Sequence, residues 1–270
     1  MEPTEIKNRL KVYGFKPKDY LGQNFLIDEE ALEEIVAAAD LNKSDTVLEV
    51  GPGLGFLTTL LAQNTKKVIA VEKDHRLIGV LRAELSSFKN VDIIQEDILR
   101  YNFNQIPAPY KVVANIPYYL TSKLIANLLS SENKPSMLVL LVQKEVGERI
   151  VAEAGELSIL GLSVQFYSDA KIVSPVLKDS FWPKPEVDSA IIKIIPRNKF
   201  NINEKTFFRL IKIAFAGKRK QLHNTIASGL KLSKEEAQNI LKNAEIDPFI
   251  RPQELKLEDW VRLAQSLDKK

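Results

Sequence analysis

The stretch TVLEVGPGLGF, residues 46–56, decides the fold. Five residues read as a buried strand, three glycines at alternate positions read as a sharp turn, and FLTTLLAQN (56–64) then carries helical spacing. Glycines 51, 53 and 55 allow a turn that other residues resist and bring a ligand close to the main chain. Glu72 ends the next strand-like run, KVIAV (67–71), 21 residues after Gly51. A carboxylate at that place accepts hydrogen bonds from vicinal ribose hydroxyls. The spacing G-x-G-x-G differs from the G-x-G-x-x-G of dinucleotide binders, which argues against a pyrophosphate cradle. A cofactor with ribose and adenine but no phosphate suits it better, and S-adenosylmethionine is the candidate.

The pattern continues in both directions. VDIIQ (91–95), YKVVAN (110–115) and SMLVLLVQ (136–143) are further apolar, β-branched runs. HRLIGVLRAELSSF (75–88) and TSKLIANLLS (121–130) have helical spacing between them. Continuous apolar strands alternating with helices predict a doubly wound, mostly parallel α/β sheet. Helices are predicted over 144–153 and 157–167. AKIVSPV (170–176) and VDSAIIKII (187–195), joined by LKDSFWPKPE, predict a terminal hairpin with one antiparallel strand. Beyond Pro196 the chain reads as helical throughout, with Ser233 and Glu236 spaced as a capping box and Gly217 and Gly229 placed as helix stops. A domain boundary near 196–203 is expected. It would separate a catalytic domain, 1–195, from a helical domain, 196–270.

The 270 residues carry 38 Lys+Arg and 35 Asp+Glu, a net +3. The balance is uneven: residues 1–195 have a net −4 and residues 196–270 a net +7. A basic tail on a mildly acidic body is expected to meet a polyanion. With no cysteine, disulfides and thiolate chemistry are excluded, and two histidines are too few for a histidine-built zinc site. No metal is expected. No apolar run has the length of a signal peptide or a membrane span, so a cytoplasmic location is expected.

In an open α/β sheet, ligands sit at the carboxyl ends of the strands. There the fourth strand runs into Asn115-Ile116-Pro117-Tyr118. It offers an amide oxygen, a main-chain carbonyl that no helix is expected to claim, and a ring. The exocyclic amine of adenine is a poor nucleophile because its lone pair is delocalised into the ring. Two acceptors, Asn115 and the Pro117 carbonyl, would hold its hydrogens so that the lone pair can turn toward a methyl donor. Tyr118 would stack on the base. Asp97, in QEDIL (95–99), suits either an acceptor for an adenine amino group or a cap for the turn that follows.

These residues resemble the ribosomal RNA adenine N6,N6-dimethyltransferase family. Asn-Ile-Pro-Tyr is similar to the N/D-P-P-Y motif of adenine-N6 methyltransferases. YLGQNFLID (20–28), EVGPGLGFLT, EKD, QEDIL, LVQKEVGERIVA (141–152) and FWPKPEVDSAI (181–191) follow in the family's order. FAGKRKQLHNTI (215–226) is similar to the F-x-x-R-R-K-x-L-x-N segment of the small-subunit branch, with Lys218 where Arg is common. The resemblance implies a Rossmann-like methyltransferase sheet and dimethylation of two adjacent adenosines in the 3′-terminal hairpin of 16S ribosomal RNA. A role in small-subunit maturation and a monomeric enzyme go with it. It implies that Gln23, Asn24, Leu26, Gly51, Glu72, Lys73, Asp97, Ile98 and Asn115 surround S-adenosylmethionine, and that Phe181 faces the target base opposite Tyr118. It places RNA at Lys16, Lys18, Arg149, Lys218, Arg219 and Lys220. The alternatives are the large-subunit (23S) branch associated with macrolide resistance, a DNA adenine methyltransferase, and an RNA-binding assembly or transcription factor without essential catalysis.

Overall fold

The computed structural model describes residues 11–15, 17 and 22–268. Its elements are β1 (Phe25–Leu26), α1 (Glu29–Ala38), β2 (Thr46–Val50), α2 (Phe56–Asn64), β3 (Lys67–Glu72), α3 (His75–Glu84), β4 (Val91–Gln95), β5 (Tyr110–Asn115) and α4 (Thr121–Ser130). There follow β6 (Met137–Gln143), α5 (Lys144–Val151), α6 (Ile159–Tyr167), β7 (Ser168–Val176), β8 (Phe181–Trp182), β9 (Ser189–Pro196), α7 (Glu204–Phe215), α8 (Leu222–Leu230), α9 (Lys234–Asn243) and α10 (Leu257–Asp268).

Seven strands form one sheet in the order β4-β3-β2-β5-β6-β9-β7. The pairs β2–β3, β2–β5, β3–β4 and β5–β6 are parallel, and β9 runs antiparallel to β6, opposite Leu138 to Gln143. The last strand is thus the antiparallel one, inserted between β6 and β7. Val47, Val68, Val113, Val139 and Ile191 are fully buried from neighbouring strands, and Leu32, Ile35 and Leu61 join them from α1 and α2. Burial on both faces explains why these strands read as unbroken apolar runs. The strand order reverses at β2, between β3 and β5, which makes the carboxyl ends of β2 and β5 the switch point where such sheets bind ligands.

Outside the sheet, β1 and β8 form a two-residue antiparallel ladder, Phe25 opposite Trp182 and Leu26 opposite Phe181. It ties the 22–28 loop to the segment before β9. Asp28 caps α1 by accepting from the Ala31 N–H at 3.3 Å.

By packing, the described residues up to Gly147 with Ala170–Pro196 form one unit, and Glu148–Asp169 with the described residues from Arg197 onward form a second. This differs from a single cut after residue 195. The reason lies in α6, whose Phe166 stacks on Phe207 at 4.3 Å and meets Phe208 edge-on. The Tyr167 carbonyl accepts from the Arg197 N–H at 2.7 Å. In this second unit the Ser233–Glu236 capping box forms as read. Gly229, read as a helix stop, lies inside α8, and Lys231 in the left-handed conformation ends that helix. Among the described residues no helix is long and apolar enough to cross a membrane.

Candidate active site

The ends of β2, β3, β4 and β5 and the 22–26 loop enclose a cavity of about 580 Å³. Its lining includes Gln23, Asn24, Leu26, Gly51, Gly53, Glu72, Lys73, Asp97, Ile98, Asn115, Pro117 and Tyr118. Separate sequence motifs therefore meet in one place.

The glycine turn is built by conformation and by close approach. Gly51 and Gly53 have φ of +66° and +61°, the left-handed region that favours glycine. A Cβ at Gly53 would stand 3.1 Å from the Phe25 ring, and one at Gly51 would stand 3.7 Å from Pro117 Cδ. Gly55 has a different task. It is the N-terminal flank of α2 and faces Leu81 and Leu85. It packs a helix and does not line the cavity.

Glu72 is buried, and each of its oxygens takes a main-chain N–H, from Asp74 at 2.7 Å and from Gly53 at 3.3 Å. Burial nonetheless raises its carboxyl above the ordinary carboxylate range. Asp74 caps α3 and accepts from Gln23 Nε2 and Arg76 Nε, both at 2.9 Å. Burial works against the Asp74 charge, but these donors outweigh it and hold the carboxyl at about 2. Lys73 donates to Asp97 Oδ2 at 2.9 Å, while Asp97 Oδ1 accepts from the Leu99 N–H at 3.0 Å. Asp97 thus caps its turn and also lines the cavity. Its hydrogen bond from Lys73 pulls its carboxyl down.

Asn115 closes β5, and its Nδ2 donates to the Asn24 carbonyl at 3.2 Å. This orients the planar amide and leaves Oδ1 on its opposite side. The Pro117 carbonyl is not wholly unclaimed, because the Leu120 N–H donates to it at 2.9 Å. The chain tightens here into a 3₁₀ turn, Tyr118–Leu120, so one lone pair of that carbonyl remains for a ligand. Tyr118 is half-buried, and its hydroxyl lies 2.9 Å from Ser189 Oγ on β9.

Phe181, expected to face the target base, lies elsewhere in this structure. It is only 3 % exposed, belongs to the core cluster of the sheet and is absent from the cavity wall. The β1–β8 ladder turns its ring inward, so it packs the core in this structure. Arg149 is exposed on α5 and is not a cavity residue. Lys218, Arg219 and Lys220 are exposed in the turn between α7 and α8. Lys16 and Lys18 lie outside the described residues.

Two residues that sequence reasoning passed over belong to the cavity. Glu49 is 1 % exposed and lines the cavity, and among the described residues its Oε2 has no hydrogen-bond partner. Burial, and after it the neighbouring Glu72 charge, push its carboxyl up to about 8. A signal was present, since a carboxylate within an apolar strand run is costly without a purpose. Tyr119 is 55 % exposed and lines the same cavity, and no pattern set it apart from its neighbour.

The donor set identifies the kind of ligand. Glu49, Glu72, Asp74, Glu96 and Asp97 line the cavity, against one lysine that is already paired. Polyphosphate would be repelled by the ionised members of this set, of which the protonated Glu49 is not one near neutral pH, whereas a nucleoside carrying positive charge would be welcomed. The apolar Leu26 and Ile98 supply walls for a flat base. The residues present therefore fit a sulfonium nucleoside.

Comparison with known proteins agrees with this chemistry. The family model for ribosomal RNA adenine dimethylase matches residues 14–269. A protein of Dehalococcoides mccartyi named ribosomal RNA small subunit methyltransferase A is 43% identical over 266 residues, covering 96% of this chain and 91% of that protein. A protein of the same name from Clostridium botulinum is 40% identical, covering 99% and 98%. Among solved structures, a dimethyladenosine transferase from Plasmodium falciparum superposes with a TM-score of 0.80 at 29% identity, covering 91% of this chain and 98% of that one. The 23S rRNA methyltransferase ErmE does so with a TM-score of 0.73 at 27% identity, covering 91% and 100%. A methyltransferase that uses S-adenosylmethionine is what this fold and family imply, and the chain belongs to the ribosomal RNA adenine dimethylase family.

Proposed function

We propose that the protein transfers methyl groups from S-adenosylmethionine to the N6 positions of two adjacent adenosines in the 3′-terminal hairpin of 16S ribosomal RNA. The observation that carries this reading is the meeting of Asn115, Pro117 and Tyr118 with the carboxylate-lined nucleoside cavity in one enclosure. Two findings favour the small subunit over the large. The curated small-subunit relatives reach 43% and 40% identity, against 27% for ErmE. The segment 215–226 also resembles that of the small-subunit branch. The unit ending in the helical tail is assigned to RNA binding, the other to cofactor binding and catalysis.

When bound, the cofactor supplies an electrophilic methyl on a sulfonium. Glu72 would take the ribose hydroxyls through its remaining lone pairs. Asp97 and Ile98 would border the adenine, and Gly51 and Gly53 would let the main chain approach. Asn115 Oδ1 and the free lone pair of the Pro117 carbonyl would accept the two hydrogens of the target amine. This holds the nitrogen pyramidal with its lone pair toward the methyl. Tyr118 would stack on a base drawn out of the RNA, a contact worth ~1–3 kcal/mol. No strong base is needed, since the amine proton becomes acidic once the nitrogen is alkylated. Positioning and preorganised dipoles carry the catalysis.

The test uses labelled S-adenosylmethionine with isolated small and large ribosomal subunits that lack these modifications. Label entering small subunits alone supports the reading. Label entering large subunits alone favours the 23S branch and overturns it.

A further inference from the structure

The second unit holds a feature that the catalytic cavity does not use. Helix α7 buries Phe207, Leu210, Ile211 and Ala214. Its opposite face presents Lys205, Arg209 and Lys212, all exposed. The spacings of four and three residues set these cations in one row along the helix. At 1.5 Å of rise per residue the row is about 10 Å long, and the chain then runs directly into the turn carrying Lys218, Arg219 and Lys220.

The row borders a groove rather than a flat surface. Phe208, Ile213 and Gly229 line it beside the cations. Gly229 explains the close packing beneath, since a Cβ there would fall 2.1 Å from Ile213 Cγ2. Only glycine lets α8 lie so tightly against α7. One carboxylate, Glu204, lines the groove, and it already accepts from the Tyr167 hydroxyl at 2.5 Å. Some cations of this unit are paired, Arg197 and Lys199 with Asp169 and Arg262 with Asp259, and among the described residues several others are not; what sets the α7 cations apart is their alignment along one groove. Lys205, Arg209 and Lys212 have no such pairing among the described residues. A solvated helix face in a protein of mixed charge tends to intersperse signs. Three unpaired cations in a row on a concave surface instead suit a polyanion.

We propose that this groove of α7 is an RNA-backbone contact, in which Lys205, Arg209 and Lys212 hold successive phosphates of the ribosomal RNA substrate. The inference rests on the RNA substrate of the proposed function. Such contacts position RNA without reading its sequence and release counterions.

The test compares the wild-type protein with the Lys205→Ala/Arg209→Ala/Lys212→Ala variant. Binding is measured by fluorescence anisotropy across a salt series. The probes are a small-subunit RNA hairpin with two adjacent adenosines and a scrambled hairpin of equal length. The affinity of the variant for both should fall tenfold or more at low salt. Its plot of log affinity against log salt should become shallower by about 0.7–0.9 for each phosphate no longer held, while S-adenosylmethionine affinity and melting temperature stay the same. Lys205→Arg/Arg209→Lys/Lys212→Arg, which keeps the charges, should bind as wild type. A Gln triple variant, which keeps side-chain length, should behave as the Ala variant does. An unchanged salt slope in the neutralised variants, beside a wild type that binds RNA, overturns the groove alone. A loss confined to an acidic protein probe, poly-glutamate, overturns it in favour of a protein partner. A wild type that binds no RNA overturns the RNA-substrate reading and this inference together.

Discussion

The Asn115 side-chain nitrogen donates to the main-chain carbonyl of Asn24 at 3.2 Å, across 91 residues of chain. A loop near the start of the chain thus sets the direction of the amide that ends β5. The freed Oδ1 is the proposed acceptor for the target amine. Asn115→Ala should lower turnover about a hundredfold or more, the scale of losing one preorganised hydrogen bond in a transition state, and leave cofactor affinity nearly intact. Asn115→Asp keeps an acceptor but loses the donor to Asn24, so it should retain partial activity. Single-turnover methylation beside cofactor calorimetry checks this. Near-normal turnover in Asn115→Ala removes the residue from the mechanism.

The Tyr118 hydroxyl and Ser189 Oγ, 2.9 Å apart, make a second tether. If this bond holds the ring for stacking, Tyr118→Phe and Ser189→Ala should each lower turnover about fivefold, the value of ~1 kcal/mol for one hydrogen bond. The double variant should be no worse than either, the mark of a shared interaction. Fully additive losses would show that the two residues act separately.

Phe181 separates packing from substrate contact. With its ring in the core, Phe181→Ala should destabilise the fold by about 3–5 kcal/mol. Urea denaturation measures this directly. Wild-type stability with a selective loss of RNA methylation would instead return Phe181 to the base-binding surface.

Glu49 predicts a pH dependence of stability. Its folded carboxyl titrates at about 8, against 4.5 when unperturbed. Between those values the folded chain holds a proton that the unfolded chain has released, so stability falls as pH rises, by at most about 1.4 kcal/mol per unit. The raised Glu72 acts in the same direction. The lowered Asp74 and Asp97 act oppositely, but below pH 4. Glu49→Gln should therefore gain stability relative to wild type across pH 5 to 8. Parallel melting curves for the two proteins over that range would contradict the assignment.

Much of this architecture can be read from residue patterns, for identifiable reasons. The strands of a parallel sheet are buried on both faces, so β2, β3, β5 and β6 announce themselves as apolar runs. The glycine turn and Glu72 stand at strand ends, where chemistry is concentrated. The β1–β8 ladder, by contrast, is two residues long and leaves no periodic trace. Phe181 sits in a proline-rich segment that reads as surface, and only that ladder turns it inward. Gly229 looks like a helix stop because a glycine that admits a neighbouring helix has the same letter. The grouping of residues 148–169 with the tail depends on Phe166 meeting Phe207, a contact between distant segments that no local pattern announces.

The central claim is that Asn115 and its neighbours methylate adenine in small-subunit RNA. It is tested most directly by treating unmethylated 30S particles with S-adenosylmethionine and the protein, then mapping modified nucleotides by mass spectrometry. Wild-type protein should give N6,N6-dimethyladenosine at two adjacent positions of the 3′-terminal hairpin, and Asn115→Ala should give almost none. Modification elsewhere, or equal yield from the two proteins, would contradict the account.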